Sequence, residues 1–297
     1  MKETWREQYP FKDRYWDRQG LKLHYVDEGK GETVVMVHGN PTWSFYYRKL
    51  IADLSKDHRV IALDHIGMGL SDKPTDAQYD YTLKSRVDDL EGLLDSLKIE
   101  GGVTLIVHDW GGMIGMSWAC RHPERVKRIV VSNTWAFDWP EGARPPWQLK
   151  LARGPLGALL VRGFSAFSIG AAMTCATRLM NDGPALAGYL APYSSWSTRR
   201  AVHRFVQDIP EGPGDKAYEL MKWTGDRLHK LEHLPMLIVW GGKDFVFNRV
   251  FFEEWRRRFP RAEVLDLPQA KHYLLEDSPE VIVPAVRAFL QKHPTAV

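Results

Sequence analysis

A carboxylate set between an apolar run and a pair of glycines is the first feature that could do chemistry. The run VTLIV from Val103 is followed by His108, Asp109, Trp110, Gly111 and Gly112, and then by MIGMSWA. Strand, sharp turn and helix in that order form a nucleophile elbow, which holds its central side chain exposed above a sheet edge. Here that side chain is Asp109. A carboxylate attacking a carbonyl gives an anhydride, an unhelpful intermediate. One attacking an sp³ carbon gives an alkyl ester that water can later cleave. The plainer alternative is that Asp109 only caps the following helix. Two late residues complete a triad: Asp244, after PMLIVWGG, and His272, within PQAKHYLLED. His272 would activate water, and Asp244 would fix its tautomer and stabilise the imidazolium. A lone histidine is more often structural; three residues in the order nucleophile, acid, histidine, each just past an apolar run, reverse that expectation.

A second motif, VHGNPTWSFYYR from Val37, supplies donors. A His-Gly turn after a strand lets backbone N–H groups face the elbow, completing an oxyanion hole with the amide of Trp110. Asn40 adds a side-chain amide, or serves only as an Asx-turn residue before Pro41. Other candidates carry less. In DHIGMGLSD, Asp72 stands where a dinucleotide fingerprint needs its third glycine, so the segment reads as a structural turn. Arg256, Arg257 and Arg258 read as a solvated helix end. No His/Cys/carboxylate set has zinc spacing, so neither metal nor cofactor is expected.

The elements that must position these residues follow from the apolar runs. TVVMVHG, RVIALDH, VTLIVHD, KRIVVSNT, PMLIVWGGKD and AEVLDLP read as strands, the unbroken Val/Ile/Leu runs among them as strands covered on both faces. Helices are expected over Ser44–Lys56, Thr82–Leu97, Met113–Arg121 and Arg249–Arg258, with a last one beginning at the N-cap candidate Ser278. The alternation predicts a mostly parallel sheet with helices on both faces. It breaks over residues 135–228, which have helix-length apolar segments and no convincing strand. The expected organisation is therefore a core of residues 1–134 and 229–297, with a helical cap of 135–228 over the sheet's carboxyl edge. Within the cap, Gly154 to Ala176 is rich in small residues, leaving space over Asp109 or serving close helix packing.

Composition narrows the partners. Lys and Arg number 40 against 37 Asp and Glu, a net charge of +3, too balanced for a nucleic-acid binder. The longest uncharged central stretch, Gly163 to Thr177, is too short and polar to span a membrane. The N-terminus lacks the apolar core of a secretory signal, so a cytoplasmic location is expected. Cys120 and Cys175 read as reduced packing thiols. The 12 tryptophans suit either a large apolar cavity or ordinary packing.

With HGNPTWSFYYR, DHIGMGLSDKP, VHDWGG, YLAPYSSW, Asp244 and His272 in hand, the chain resembles the haloalkane dehalogenase family of α/β-hydrolases from about Tyr15 onward. The resemblance implies Asp109 as nucleophile, His272 as base, Asp244 as its partner, and Trp110 and Asn40 as donors to a departing halide. After Thr134 comes Trp135-Ala136-Phe137, with no Glu where some members keep the acid, and FSAFSIGAAM lacks the Trp that some use as second donor. Both departures point to the third subfamily. The implied activity is displacement of halide from an alkyl carbon through a covalent ester, on a small apolar haloalkane. The segments YLAPYSSWSTRRAVHRFVQDIP and FVFNRVFFEEW also resemble the β-lactone decarboxylases of bacterial long-chain olefin synthesis, which share the same constellation. That makes decarboxylation of a dialkyl β-lactone the alternative reaction, and a homo-oligomer or multi-enzyme assembly a further expectation. An epoxide hydrolase would need cap tyrosines, for which Tyr189, Tyr193 and Tyr218 are available. A catalytically dead binding module would not need the intact triad.

Overall fold

Alternate residues of the central apolar runs feed two separate cores. Val34, Met36, Val60, Ala62, Ile106, Val130, Leu237 and Val239 pack into one. Val35, Val37, Ile61, Leu63, Leu105, Val107, Ile129, Val131 and Ile238 pack into the other. Both faces of these strands are dry, which is why their sequences show no polar alternation. The computed structural model describes residues 4–143, 145–154, 156–163 and 166–295.

The strands are β1 (Arg14–Arg18), β2 (Leu21–Glu28), β3 (Thr33–Val37), β4 (Arg59–Leu63), β5 (Val103–Asp109), β6 (Val126–Thr134), β7 (Met236–Gly241) and β8 (Glu263–Leu267). They form one eight-stranded sheet in the order β1-β2-β4-β3-β5-β6-β7-β8. From β4 to β8 all pairings are parallel, and only β2 runs against its neighbours. Helices α1 (Arg48–Leu54), α2 (Leu83–Ser96) and α3 (Trp110–Arg121) lie among the first strands. Between β6 and β7 every described element is helical: α4 (Trp147–Arg153), a π-helical turn at Leu159–Gly163, α5 (Ala166–Thr174), α6 (Gly183–Leu190), α7 (Arg200–Gln207) and α8 (Tyr218–Arg227), joined by short 3₁₀ turns. After β7 come α9 (Arg249–Arg258), α10 (Leu274–Asp277) and α11 (Pro279–Lys292). Residues of α2, α3, α8 and α9 fill one core and those of α1, α10 and α11 the other. Among the described residues, no helix is long and apolar enough to cross a membrane.

Two sequence expectations need correction. The β1–β2 hairpin was not expected from RYWDR and LKLHYVDE, because these edge strands mix charges into a half-exposed pattern. The helix expected from Met113 starts three residues earlier, at Trp110, so both elbow glycines are helical. A Cβ on Gly111 would sit 1.8 Å from the Val37 carbonyl oxygen, and one on Gly112 1.8 Å from Thr134 Oγ1. Close approach to the neighbouring strands requires glycine here, at some expense of helix propensity.

A buried ion pair ties the start of the chain to the region after His272. Arg48 Nη2 donates to Glu276 Oε2 at 2.9 Å, and Tyr189 Oη donates to Glu276 Oε1 at 2.6 Å. Both partners of the pair are buried. Breaking such a pair strands a buried charge, which typically costs about 3 kcal/mol or more. Glu276→Ala is therefore expected to lower the unfolding free energy by about that amount, read as a fall in the urea midpoint at unchanged m. A loss under about 1 kcal/mol, the worth of a surface pair, would contradict it.

Candidate active site

The site begins with a backbone conformation that side chains rarely adopt. Asp109, the last residue of β5, has φ of 53° and ψ of −129° before α3 begins. Strain of this kind costs about 1–3 kcal/mol and persists only where the surroundings enforce it. Here Thr134 Oγ1 donates to the Asp109 carbonyl oxygen, and the glycine contacts clamp the turn against β3 and β6. The side chain is buried. The Asn40 backbone N–H donates to Asp109 Oδ1 at 2.6 Å, and the Trp110 N–H also serves the carboxylate. The HGN turn can approach because a Cβ on Gly39 would lie 2.0 Å from Asp109 Oδ1. Burial pushes the Asp109 carboxyl up to about 6, against the pull of His272 and the two N–H donors.

His272 and Asp244 arrive from loops after β8 and β7. His272 Nδ1 lies 2.7 Å from Asp244 Oδ2, and its Nε2 lies 3.6 Å from Asp109 Oδ2. Burial pulls the imidazole's pKa down, but the two carboxylates outweigh it and the net shift is upward. Asp244 is itself held in place. Its Oδ2 accepts from Asn133 Nδ2 at 2.8 Å and its Oδ1 from the Val246 N–H at 2.7 Å. Asn133 also accepts from the Gly241 N–H at 2.7 Å. Sequence reading missed Asn133; the only signal was the polar Ser132-Asn133-Thr134 run that ends β6.

Asp109, His272, Asn40 and Trp110 all face one cavity of about 330 Å³. Trp135, Phe247 and Tyr273 form part of its wall near the triad, and Leu149, Phe167, Gly170, Ala171, Thr174 and Cys175 come from the helical segment. Asn40 departs partly from expectation: its Nδ2 donates to the Val202 carbonyl oxygen at 3.1 Å, leaving one N–H for a ligand, while its Oδ1 is buried without a partner. The small residues divide between both readings. Gly170 and Ala171 line the cavity, whereas a Cβ on Gly157 would meet the Ala152 oxygen at 1.8 Å, so that glycine serves packing. Phe164 and Ser165 of the same segment lie outside the described residues. Of the tyrosines an epoxide hydrolase would need, Tyr189 serves Glu276 and Tyr193 Oη lies 3.4 Å from the Thr42 carbonyl oxygen. Neither these two nor Tyr218 is among the residues lining the cavity.

The alpha/beta hydrolase fold model matches residues 32–279. The chain belongs to that family. It is 49% identical over 287 residues, 96% of this chain and 90% of the relative, to the cis-3-alkyl-4-alkyloxetan-2-one decarboxylase of Shewanella oneidensis. To haloalkane dehalogenase 2 of Mycobacterium tuberculosis it is 30% identical over 282 residues, 94% of each chain. The crystal structure of a haloalkane dehalogenase from Agrobacterium tumefaciens superposes with a TM-score of 0.80 at 24% identity, covering 95% of this chain and 96% of that one, and shares the fold. In sequence this α/β-hydrolase is thus nearer to the relative named a decarboxylase than to the one named a dehalogenase.

The raised carboxyl gives a prediction about stability. A group whose folded pKa lies above its unfolded value of 3.8 contributes stability that is present below 3.8 and lost as pH rises through about 6. At pH 8 the buried carboxylate thus opposes folding by about 3 kcal/mol. Asp109→Asn is expected to unfold at higher urea than the unaltered chain at pH 8, with the gap closing toward pH 4. A gap that stays constant across that range would show that burial does not set the Asp109 pKa.

Proposed function

We propose that the chain is a β-lactone decarboxylase, converting cis-3-alkyl-4-alkyloxetan-2-ones to alkene and carbon dioxide. Displacement of halide from haloalkanes is then a secondary capacity of the same residues. The order reverses the one that motif resemblance favours, and the observation that carries it is the 49% identity across 96% of the chain to a relative named for that reaction, against 30% to a dehalogenase. The mostly apolar cavity is consistent with alkyl substituents beside the ring.

In this reading an Asp109 oxygen attacks C4 of the four-membered ring from behind. The C4–O bond breaks, and the lactone carbonyl becomes a carboxylate on C3. Trp110 and Asn40 donate N–H groups to that new charge, where preorganised donors are worth most. The C3–carboxylate bond then breaks, carbon dioxide leaves, and its electron pair forms the C3=C4 double bond. The same electron flow breaks the C4–Oδ bond and returns the Asp109 carboxylate. No water is consumed. Inversion at C4 followed by anti departure turns a cis-lactone into a cis-alkene. His272, its pKa raised by Asp244 and Asp109, offers its Nε2–H to the returning Asp109 oxygen. Residues 135–228 act as a cap that supplies the far wall of the cavity.

A haloalkane follows the first step only. Once Asp109 is an alkyl ester it has no charge, so it no longer raises the His272 pKa, and the imidazole becomes a base able to activate water.

The two substrates therefore separate in one variant. With 1-bromohexane, His272→Phe is expected to stop at a hexyl ester, seen by mass spectrometry on the peptide containing Asp109. With a cis-dialkyl β-lactone the same variant still releases cis-alkene, slower by about 10²–10³-fold, the worth of one preorganised donor. Unaltered protein that turns over 1-bromohexane at kcat/KM of about 10⁴ M⁻¹s⁻¹ or more, with no alkene from the lactone, would make it a dedicated dehalogenase.

A further inference from the structure

The helices that wall the cavity turn a second apolar face outward. On α4, Trp147 is 69% exposed and Leu151 47%, one helical turn apart and so on the same side. Leu156 is 63% exposed and Leu159 49%, and on α5 Ile169 and Met173, again one turn apart, are also exposed. The π-helical turn packs against both α5 and α7, so these residues belong to neighbouring elements. Single exposed apolar side chains are ordinary; a set this dense marks an interaction site.

The charges around this face have one dominant sign. From residue 142 to residue 181 the chain has no Asp or Glu, and its basic residues among the described ones are Lys150, Arg153, Arg162 and Arg178. Arg153 and Arg178 are paired with acids from other segments. Arg162 stacks over the half-exposed Trp196 ring at 4.6 Å, and Arg199 Nη1 donates to the Arg162 carbonyl oxygen at 2.5 Å. A Cβ on Gly163 would lie 3.1 Å from Leu159 and 3.5 Å from Trp196, which puts the apolar and basic groups side by side. Arg200 and Arg204 lie nearby and share Asp76.

We propose that this face of the cap docks on an anionic phospholipid bilayer. Exposed Trp and Leu beside Lys and Arg is the composition of an interfacial binding surface, where apolar burial adds to attraction for anionic headgroups. A second copy of the chain fits less well, because face-to-face pairing would oppose one arginine cluster to another. The inference rests on the decarboxylase reading for its purpose. A lactone with two long alkyl arms, and the alkene made from it, partition into lipid. The inner sides of the same helices line the cavity, through Leu149 on α4 and Gly170 and Ala171 on α5.

The test is sedimentation of the full chain with sucrose-loaded vesicles of phosphatidylglycerol and phosphatidylcholine. The unaltered chain is expected to pellet with the anionic vesicles, less with pure phosphatidylcholine, and to be released by high salt. Trp147→Glu/Leu151→Glu/Ile169→Glu changes exposed residues outside the cavity lining and is expected to bind at least about tenfold more weakly, a difference of one RT ln 10 step or more. Quenching of the unaltered chain's tryptophan fluorescence by brominated lipid, reduced in Trp147→Phe, reads the same docking without the triple variant. Equal pelleting of triple variant and parent, no pelleting of either, or a parent dimer that the triple variant dissolves would each overturn the proposal. Turnover of a short-armed, water-soluble cis-lactone should be the same in both proteins. If neither turns it over while vesicle binding behaves as expected, the decarboxylase reading fails and the docking surface stands.

Discussion

The structure is organised around keeping one carboxylate dry. Removing a charged carboxylate from water is expensive unless fixed dipoles replace the lost hydration. At Asp109 those dipoles are backbone N–H groups, from Asn40 at 2.6 Å and from Trp110. Backbone can come that close only where side chains are missing, and Gly39, Gly111 and Gly112 each stand where a Cβ would collide. The parallel pairing of β3, β5 and β6 brings these segments to one edge of the sheet. The elbow, the HGN turn and the strand order thus serve a single electrostatic requirement.

The second requirement is balance between two carboxylates and one imidazole. Asp244 is fixed by Asn133 and by the Val246 amide before it meets His272. The imidazole is therefore oriented from behind, and its front faces Asp109. In the proposed reading, changing the charge on Asp109 changes what His272 can do, so a single arrangement would support both a water-free elimination and a hydrolysis. The leaving group, more than the triad, would decide between them.

The sequence made the chemistry more legible than the packing around it. Asp109 ends β5 and Asp244 follows β7, strands whose two buried faces leave an uninterrupted apolar run, whereas His272 follows the half-exposed β8 and stands out by its order after the other two. Asn40 and Trp110 were legible by adjacency to those runs. Asn133 was not, because its role depends on β6 and β7 being neighbours, which no local pattern reveals. The β1–β2 hairpin was missed because its strands are half-exposed and carry charge on the open side. The wall contributed by Trp135, Phe247 and Tyr273 was equally hidden, since aromatic residues read the same in a core and in a cavity. Sequence motifs pointed first to a dehalogenase, because the residues that attack an alkyl carbon do not record which bond the attack breaks.

The chain leaves the sheet at Thr134 and returns to it at Met236, and these two points lie on strands that are hydrogen-bonded to each other, with Ile129 opposite Met236. Because β6 and β7 are parallel, the chain leaves at the carboxyl end of β6 and re-enters at the amino end of β7, and α8, packed along α3, makes the return. A replacement of the stretch between Thr134 and α8 that keeps α8 on α3 would leave the pairing of β5, β6 and β7, and with it the elbow, the acid and the histidine, in place. Such an arrangement lets lineages trade substrate walls while inheriting the reaction centre intact. The two names carried by its relatives, decarboxylase and dehalogenase, are what descent through that kind of exchange would leave behind.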